Sequence, residues 1–99
     1  MTAYLALTHD VADVDKYLGE YVPPVLQLFE KYGIEVLVAQ VGASAIEGSA
    51  NSVIILRAES EDAFHNFYDD PDYAAPKALR HSITSKPNLL VAPEFMPPG

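Results

Sequence analysis

The stretch VDKYLGEYVPPVLQLFEKYGIEVLVAQ, residues 14–40, predicts a helix that leads directly into a strand, and the rest of the fold follows from this unit. The helical part carries apolar and aromatic residues along one face, namely Leu18, Tyr21, Val22, Val25, Leu26, Phe29 and Tyr32. Pro23 and Pro24 each remove a helix hydrogen bond, so we expect a kink or two abutting helical pieces. Gly33 is a natural C-terminal stop, and the β-branched residues 34–40 predict a strand.

Three more strands are expected on either side of this unit, at residues 3–9, 53–58 and 88–95. A turn at residues 10–13 precedes the first helix, with Asp13 as its N-cap. Ser60 is expected to cap a second helix, and Asp70 with Pro71 to begin a third. Pro76 predicts an irregular start for that last helix.

The predicted order is β-α-β-β-α-β, which is typical of the ferredoxin-like plait with a four-stranded antiparallel sheet in an α+β domain. We expect one domain over residues 1–96, followed by a tail at residues 97–99. Right-handed crossovers place the helical regions on one face of the sheet. The alternation in residues 34–40, 53–58 and 88–92 puts aliphatic side chains on both faces, so the second face predicts a homodimer.

Composition excludes several classes of function for this 99-residue chain. Its formal charge of −8 repels a phosphate backbone or an anionic membrane surface, so we expect no nucleic-acid or membrane partner. The absence of cysteine excludes disulfides, thiolate nucleophiles and cysteine-ligated metal. The N-terminal residues have no basic region or long apolar run, so we predict no signal peptide and a cytoplasmic location.

The ordered segments YLGEYVPPVLQLFEKYG, IEG and SEDAFHNFYDDPDYAAPKALR resemble domain-of-unknown-function family 1330. That family belongs to the dimeric α+β barrel superfamily, so the resemblance implies that two ferredoxin-like sheets pair as a barrel. It also implies that the following residues occupy the family's recurrent positions: Tyr17, Tyr21, Gly33, Glu47, Gly48, Ser60, Ala63, Tyr73 and Arg80. The chain departs from the family at Ile34 and Glu35, where a glycine and an arginine are usual. The family has no settled activity, so the resemblance implies a fold more than a function.

Tyrosines are the main candidates for lining a ligand pocket. Tyr17 and Tyr21 are spaced to share one helix face. Together with Tyr4, Tyr68 and Tyr73 they are predicted to line a pocket between helices and sheet and to offer phenol hydroxyls to a polar ligand. The alternative is that these tyrosines lie at the edge of the core, with hydroxyls bonded to backbone or water.

Arg80 is the remaining candidate for ligand binding, because a buried guanidinium requires a carboxylate or an anionic ligand. It would either bind a small molecule that carries a carboxylate or pair structurally with Glu47 or an acidic turn residue. The adjacent His81 is expected to point away, since neighbouring helical residues differ by about 100°.

His65 and Glu47 are the candidate catalytic residues, with Glu47 as a general base if it is buried beside aromatic side chains. His9, His65 and His81 show none of the spacings of a metal site, so we predict surface or interface histidines and no metal. The sequence has no phosphate-binding loop, dinucleotide fingerprint or nucleophile elbow, and we predict no cofactor.

Three functions are consistent with these features. The first is a homodimer that binds an apolar or aromatic molecule, with a cofactor-free oxygenase or isomerase-like activity of the kind that some members of the superfamily have. The second is a non-catalytic ligand-binding or protein-interaction module. The third is a subunit that uses its apolar sheet face in a larger complex.

Overall fold

The computed structural model describes residues 2–98, and it contains a four-stranded sheet covered on one face by helices. The strands are β1 (Ala3–Val11), β2 (Glu35–Val41), β3 (Ser52–Ala58) and β4 (Thr84–Pro93). The helices are α1 (Val14–Lys16), α2 (Val22–Tyr32), α3 (Glu61–Asp69) and α4 (Ala74–Ile83). A π-helical turn at Tyr17–Tyr21 joins α1 to α2, and a 3₁₀ turn at Pro71–Tyr73 precedes α4. Met1 and Gly99, at the ends of the predicted domain and tail, lie outside the described residues.

The sheet order is β2-β3-β1-β4, and each neighbouring pair is antiparallel. This is the ferredoxin-like α+β arrangement that the order of elements predicts. The molecule is 17 Å through its thinnest dimension, which corresponds to a single layer of helices on a single sheet. The core lies between these layers, where Leu5, Leu7 and Leu56 of the sheet are buried with Phe29 and Phe64 of the helices.

The two prolines produce a π-helical turn rather than a simple kink. The backbone N–H of Val22 bonds to the carbonyl of Tyr17, five residues earlier, which widens the helix by one residue. Pro23 and Pro24 have no N–H to donate to the preceding turn, and they lie in the first turn of α2, where a helix can do without these donors. Gly33 then ends α2 in the left-handed conformation, with φ of 66°, as its position predicts.

The caps follow the sequence prediction at two of three helix starts. The Asp13 carboxylate accepts a bond of 3.0 Å from the Lys16 backbone N–H, and the Asp70 carboxylate accepts one of 2.8 Å from Asp72. The side chain of Ser60 makes no cap hydrogen bond, contrary to expectation. The 3₁₀ turn before α4 is the irregular start that Pro76 predicts.

Three strands differ from their predicted form: β2 contains a bulge, and β4 and β1 are longer than predicted. The register of β2 shifts between Val36 and Val38, so Val36 and Ala39 share the helix-facing side while Val38 faces the opposite way. The predicted strict alternation through residues 34–39 therefore does not hold. β4 begins at Thr84, earlier than the predicted residue 88, because Thr84 and Ser85 pair with the end of β1. β1 likewise continues through part of the expected turn, to Val11.

The sheet face opposite the helices carries an apolar row that crosses every strand. Val38 pairs with Ile55, Ile55 with Ala6, and Ala6 with Leu90. Leu90 is 69% exposed and Val38 43% exposed. The prediction of a second face with aliphatic side chains is therefore met by the described residues.

Candidate functional site

A cavity of about 440 Å³ lies between the sheet and the α1–α2 layer. Its walls are mostly aliphatic and aromatic, and they include Leu5, Leu7, Val25, Phe29, Ile54, Leu56, Phe67 and Leu89. The volume falls within the range of about 300–1,000 Å³ that is typical of small-molecule sites. The cavity is therefore large enough for an aromatic ligand.

Part of the cavity lining is exposed to solvent, including side chains that the edge strand β2 contributes. The exposed part is largely apolar, and within it Leu18 is 53% exposed and Leu26 49% exposed. Val36 lines the cavity from β2 and is 38% exposed. An apolar molecule entering from solvent therefore meets apolar surface first.

Three tyrosines line the cavity and give it a polar wall: Tyr17, Tyr21 and Tyr73. The rings of Tyr17 and Tyr21 stack with centroids 5.0 Å apart, and both belong to the π-helical turn. The hydroxyls of Tyr21 and Tyr73 share a hydrogen bond of 2.7 Å. The π-helical turn thus brings two phenols onto the cavity wall, as such turns often do at functional sites.

Burial keeps the phenols of Tyr17 and Tyr21 protonated. It raises the pKa of Tyr17 to about 12, with an opposing effect from the charge of Arg80. It also raises the pKa of Tyr21 strongly, and the adjacent Tyr73 adds to this effect. Both hydroxyls therefore act as hydrogen-bond donors or acceptors at neutral pH, and neither is a general base.

His9 lies directly behind this wall, although the sequence predicts surface or interface histidines. Its side chain is fully buried, and its ring meets that of Tyr17 edge-on at a centroid distance of 5.4 Å. A bulge lies beside it, because Thr8 pairs with Asn88 while Asp10 pairs with Ser85, which leaves an extra residue in β4. Every second residue of β1 is buried, and His9 continues this series after Leu5 and Leu7. This alternation is the sequence signal that could have predicted a buried His9.

The environment of His9 keeps its imidazole neutral. Burial and then the charge of Arg80 lower its pKa from 6.5 to about 4, although Asp10 opposes them. Neutral imidazole has one ring nitrogen that donates and one that accepts. The buried His9 therefore offers a neutral hydrogen-bonding group beside Tyr17.

Arg80 is also buried, with 1% of the residue exposed. The alternative of an ion pair with Glu47 or an acidic turn residue does not occur, since no carboxylate in residues 2–98 lies within salt-bridge distance of Arg80. Its Nη2 lies 3.2 Å from Nε2 of His81, so these neighbours meet despite their expected divergence. Burial lowers the pKa of Arg80, but the phenols of Tyr73, Tyr21 and Tyr68 outweigh it, so the net pKa is raised and the guanidinium stays charged.

The remaining candidates lie apart from the cavity wall. Tyr68 is half-buried and contacts Tyr73 with centroids 5.7 Å apart, but it does not line the cavity. His65 is exposed on α3, and Glu47 is exposed in the loop between β2 and β3. Neither of these two lines the cavity, so the structure does not bring them together with the tyrosines.

The described part of the chain has neither a cluster of metal ligands nor a membrane-spanning helix. Within residues 2–98, no group of three or more histidine or acidic side chains is arranged to hold a metal ion. Over the same residues, no helix has both the length and the apolar character needed to cross a membrane.

The family model for "Domain of unknown function (DUF1330)" matches residues 2–93. The chain belongs to this family. No curated protein matches the chain. This family membership confirms the resemblance that the quoted segments indicate. The description of the family names no activity.

Solved structures share the fold at low sequence identity. A protein of unknown function from Rhodopseudomonas palustris is 17% identical with a TM-score of 0.76, and the match covers 97% of this chain and 84% of that one. A dimeric ferredoxin-like protein of unknown function from Thermobifida fusca is 17% identical with a TM-score of 0.58, covering 95% and 92%. SnoaB, a cofactor-independent oxygenase from Streptomyces nogalater, is 11% identical with a TM-score of 0.65, covering 98% of both chains.

Proposed function

We propose that this chain forms a homodimeric α+β barrel and binds a small apolar or aromatic molecule in the cavity between its helices and sheet. The observation that carries this proposal is the cavity of about 440 Å³, whose walls are mostly aliphatic and include three tyrosines, two of them joined through their hydroxyls. Apolar pockets with a few convergent polar groups are the usual form of small-molecule sites. The charge of −8 opposes nucleic-acid binding, and the cytoplasm is the location that we propose.

Fluorescence titration with phenylnaphthylamine, an uncharged aromatic probe, tests this site. Ala39 lines the cavity from β2, so Ala39→Phe fills part of the space and is expected to weaken binding at least about tenfold. Ala78→Phe makes the same chemical change at an exposed position on α4 and serves as the matched control. Equal binding by the wild type and Ala39→Phe, or no binding by any variant, would contradict the proposal.

The apolar row on the open sheet face supports the homodimer. The row crosses all four strands, and this chain offers no element to cover it within residues 2–98. A second copy buries such a row against itself, which is how symmetric dimers form. The Thermobifida fusca protein that shares this fold is itself dimeric.

A cofactor-free activity is the second candidate, and the buried His9 favours it. A neutral imidazole in contact with Tyr17, which lines the cavity, has the protonation state of a general base. The shared fold with SnoaB is a fold-level analogy and no more. Oxygen uptake with a naphthol that binds the cavity, lost in His9→Gln with binding retained, would support an enzyme.

His65 and Glu47 stay predictions as catalytic residues. His65→Ala and Glu47→Gln are tested in the same assay, and their exposure on the surface favours unchanged turnover. Tight binding with no turnover of any aromatic substrate would support the non-catalytic ligand-binding module instead.

A further inference from the structure

Three buried polar side chains lie near the tyrosine wall, on the helix-facing side of the sheet and on α4. His9 is 0% exposed, Ser52 1% and Arg80 1%. Both ring nitrogens of His9, the hydroxyl of Ser52, and Nε and Nη1 of Arg80 have no hydrogen-bond partner among residues 2–98. Buried polar groups in folded proteins are nearly always hydrogen-bonded. Such a concentration of unused donors and acceptors therefore points to a ligand.

None of these three residues lines the cavity, but contacts connect them to its tyrosine wall. His9 and Ser52 are direct partners in the β1–β3 register, on the helix-facing side. Arg80 is near enough to His9 for its charge to depress the imidazole pKa. Tyr17 contacts His9 and also lines the cavity, so the polar groups lie behind one wall of the same space.

The cluster of His9, Ser52 and Arg80 carries a positive charge that no carboxylate in residues 2–98 compensates. The ion-paired cations in the described part of the chain are Lys31, which pairs with Asp70, and Arg57, which pairs with Glu35. The Asp10 carboxylate accepts a bond of 3.0 Å from the backbone N–H of Asn51. Arg80 has His81 beside its Nη2 and a hydrogen bond with the phenol of Tyr73, but no carboxylate in residues 2–98 compensates its buried positive charge, which is costly without an anion.

We propose that the ligand of the cavity is an organic acid whose carboxylate binds Arg80, with His9 and Ser52 as further hydrogen-bond donors. This inference rests on the proposed function, because it names the chemical class of the molecule that occupies that site. The apolar body lies against the aliphatic walls, and the guanidinium fork matches the two oxygens of a carboxylate. The proposal requires the Tyr17 ring, which contacts His9 and lines the cavity, to move aside for the carboxylate.

Isothermal titration calorimetry with naphthoate and its neutral counterpart naphthamide tests the inference. The two probes share the aromatic body and differ in charge, so the wild type is expected to prefer naphthoate by about tenfold or more. Arg80→Gln is expected to remove this preference while naphthamide still binds. Equal affinities for the two probes in the wild type would overturn the carboxylate site.

Ser52→Ala provides a test that does not depend on how the buried Arg80→Gln variant folds. Removing an unpartnered buried hydroxyl leaves thermal stability equal or higher, whereas naphthoate affinity falls severalfold and naphthamide affinity stays unchanged. Ser82→Ala, which removes an exposed hydroxyl on α4 that bonds to the Leu79 carbonyl, is the matched control. Unchanged naphthoate affinity in Ser52→Ala would contradict a role for Ser52 in the site.

The outcomes separate this inference from the proposed function. If naphthamide binds as well as naphthoate and Ala39→Phe weakens both, the cavity binds ligands but Arg80 does not select acids. If neither probe binds, the proposed function itself fails, and the inference fails with it.

Discussion

Acidification should destabilise this protein through His9. The pKa of His9 is about 4 in the folded chain, against an ordinary value of 6.5, because burial and the charge of Arg80 disfavour the imidazolium. A histidine whose pKa is depressed by folding stabilises the fold fully above the unfolded value and loses that contribution as the pH falls toward the folded value. Between about pH 7 and about pH 5 the expected loss is about 2 kcal/mol of unfolding free energy.

Urea denaturation at fixed protein concentration measures this loss, with His9→Gln as the variant that lacks the ionisable group. The stability of the wild type should fall more between the two pH values than that of His9→Gln, by about 2 kcal/mol. His65→Gln, at an exposed position on α3, controls for the loss of a histidine and should follow the wild type. Parallel losses in the wild type and His9→Gln would refute the assignment of His9 as a buried neutral imidazole.

Three further changes test the tyrosine wall, the end of α2 and the open sheet face. Tyr73→Phe leaves the buried Tyr21 hydroxyl without its partner at 2.7 Å, so thermal or urea denaturation should show a loss of about 1–3 kcal/mol. If the double Tyr21→Phe/Tyr73→Phe variant costs the sum of the single changes, the two hydroxyls are not coupled. Gly33→Ala places a side chain at φ of 66° and should cost about 1 kcal/mol, whereas Gly19→Ala in the π-helical turn, where nothing obstructs a methyl group, should be neutral or stabilising. Leu90→Glu should convert the homodimer to a monomer in light scattering, and a dimer that persists would contradict pairing through this face.

Periodicity and turn chemistry were sufficient to predict the order of elements, because each signal is local. The left-handed glycine at Gly33 and the caps at Asp13 and Asp70 follow from single residues and their neighbours. The bulges in β2 and β4 depend on pairing between distant strands, so alternation within one strand did not reveal them.

The candidate site was predicted in part. Helical spacing was enough to place Tyr17 and Tyr21 on one face. The structure brings the predicted Tyr73 to them through its hydrogen bond to Tyr21, whereas Tyr68 does not line the cavity. His9 was assigned to the surface or an interface because it is a lone histidine at a predicted strand end, although its alternation with Leu5 and Leu7 pointed inward. Arg80 has no carboxylate partner among the described residues. The sequence could not show this, because it depends on where every acidic side chain lies in the folded chain.

Native mass spectrometry of the protein in the presence of saturating naphthoate tests the ligand-binding homodimer in a single experiment. We expect a mass of two chains that carries one naphthoate per chain, with the naphthoate lost in Ala39→Phe and retained in Ala78→Phe. A monomer would contradict pairing through the open sheet face. A dimer whose naphthoate occupancy does not change in Ala39→Phe would contradict the cavity as the binding site.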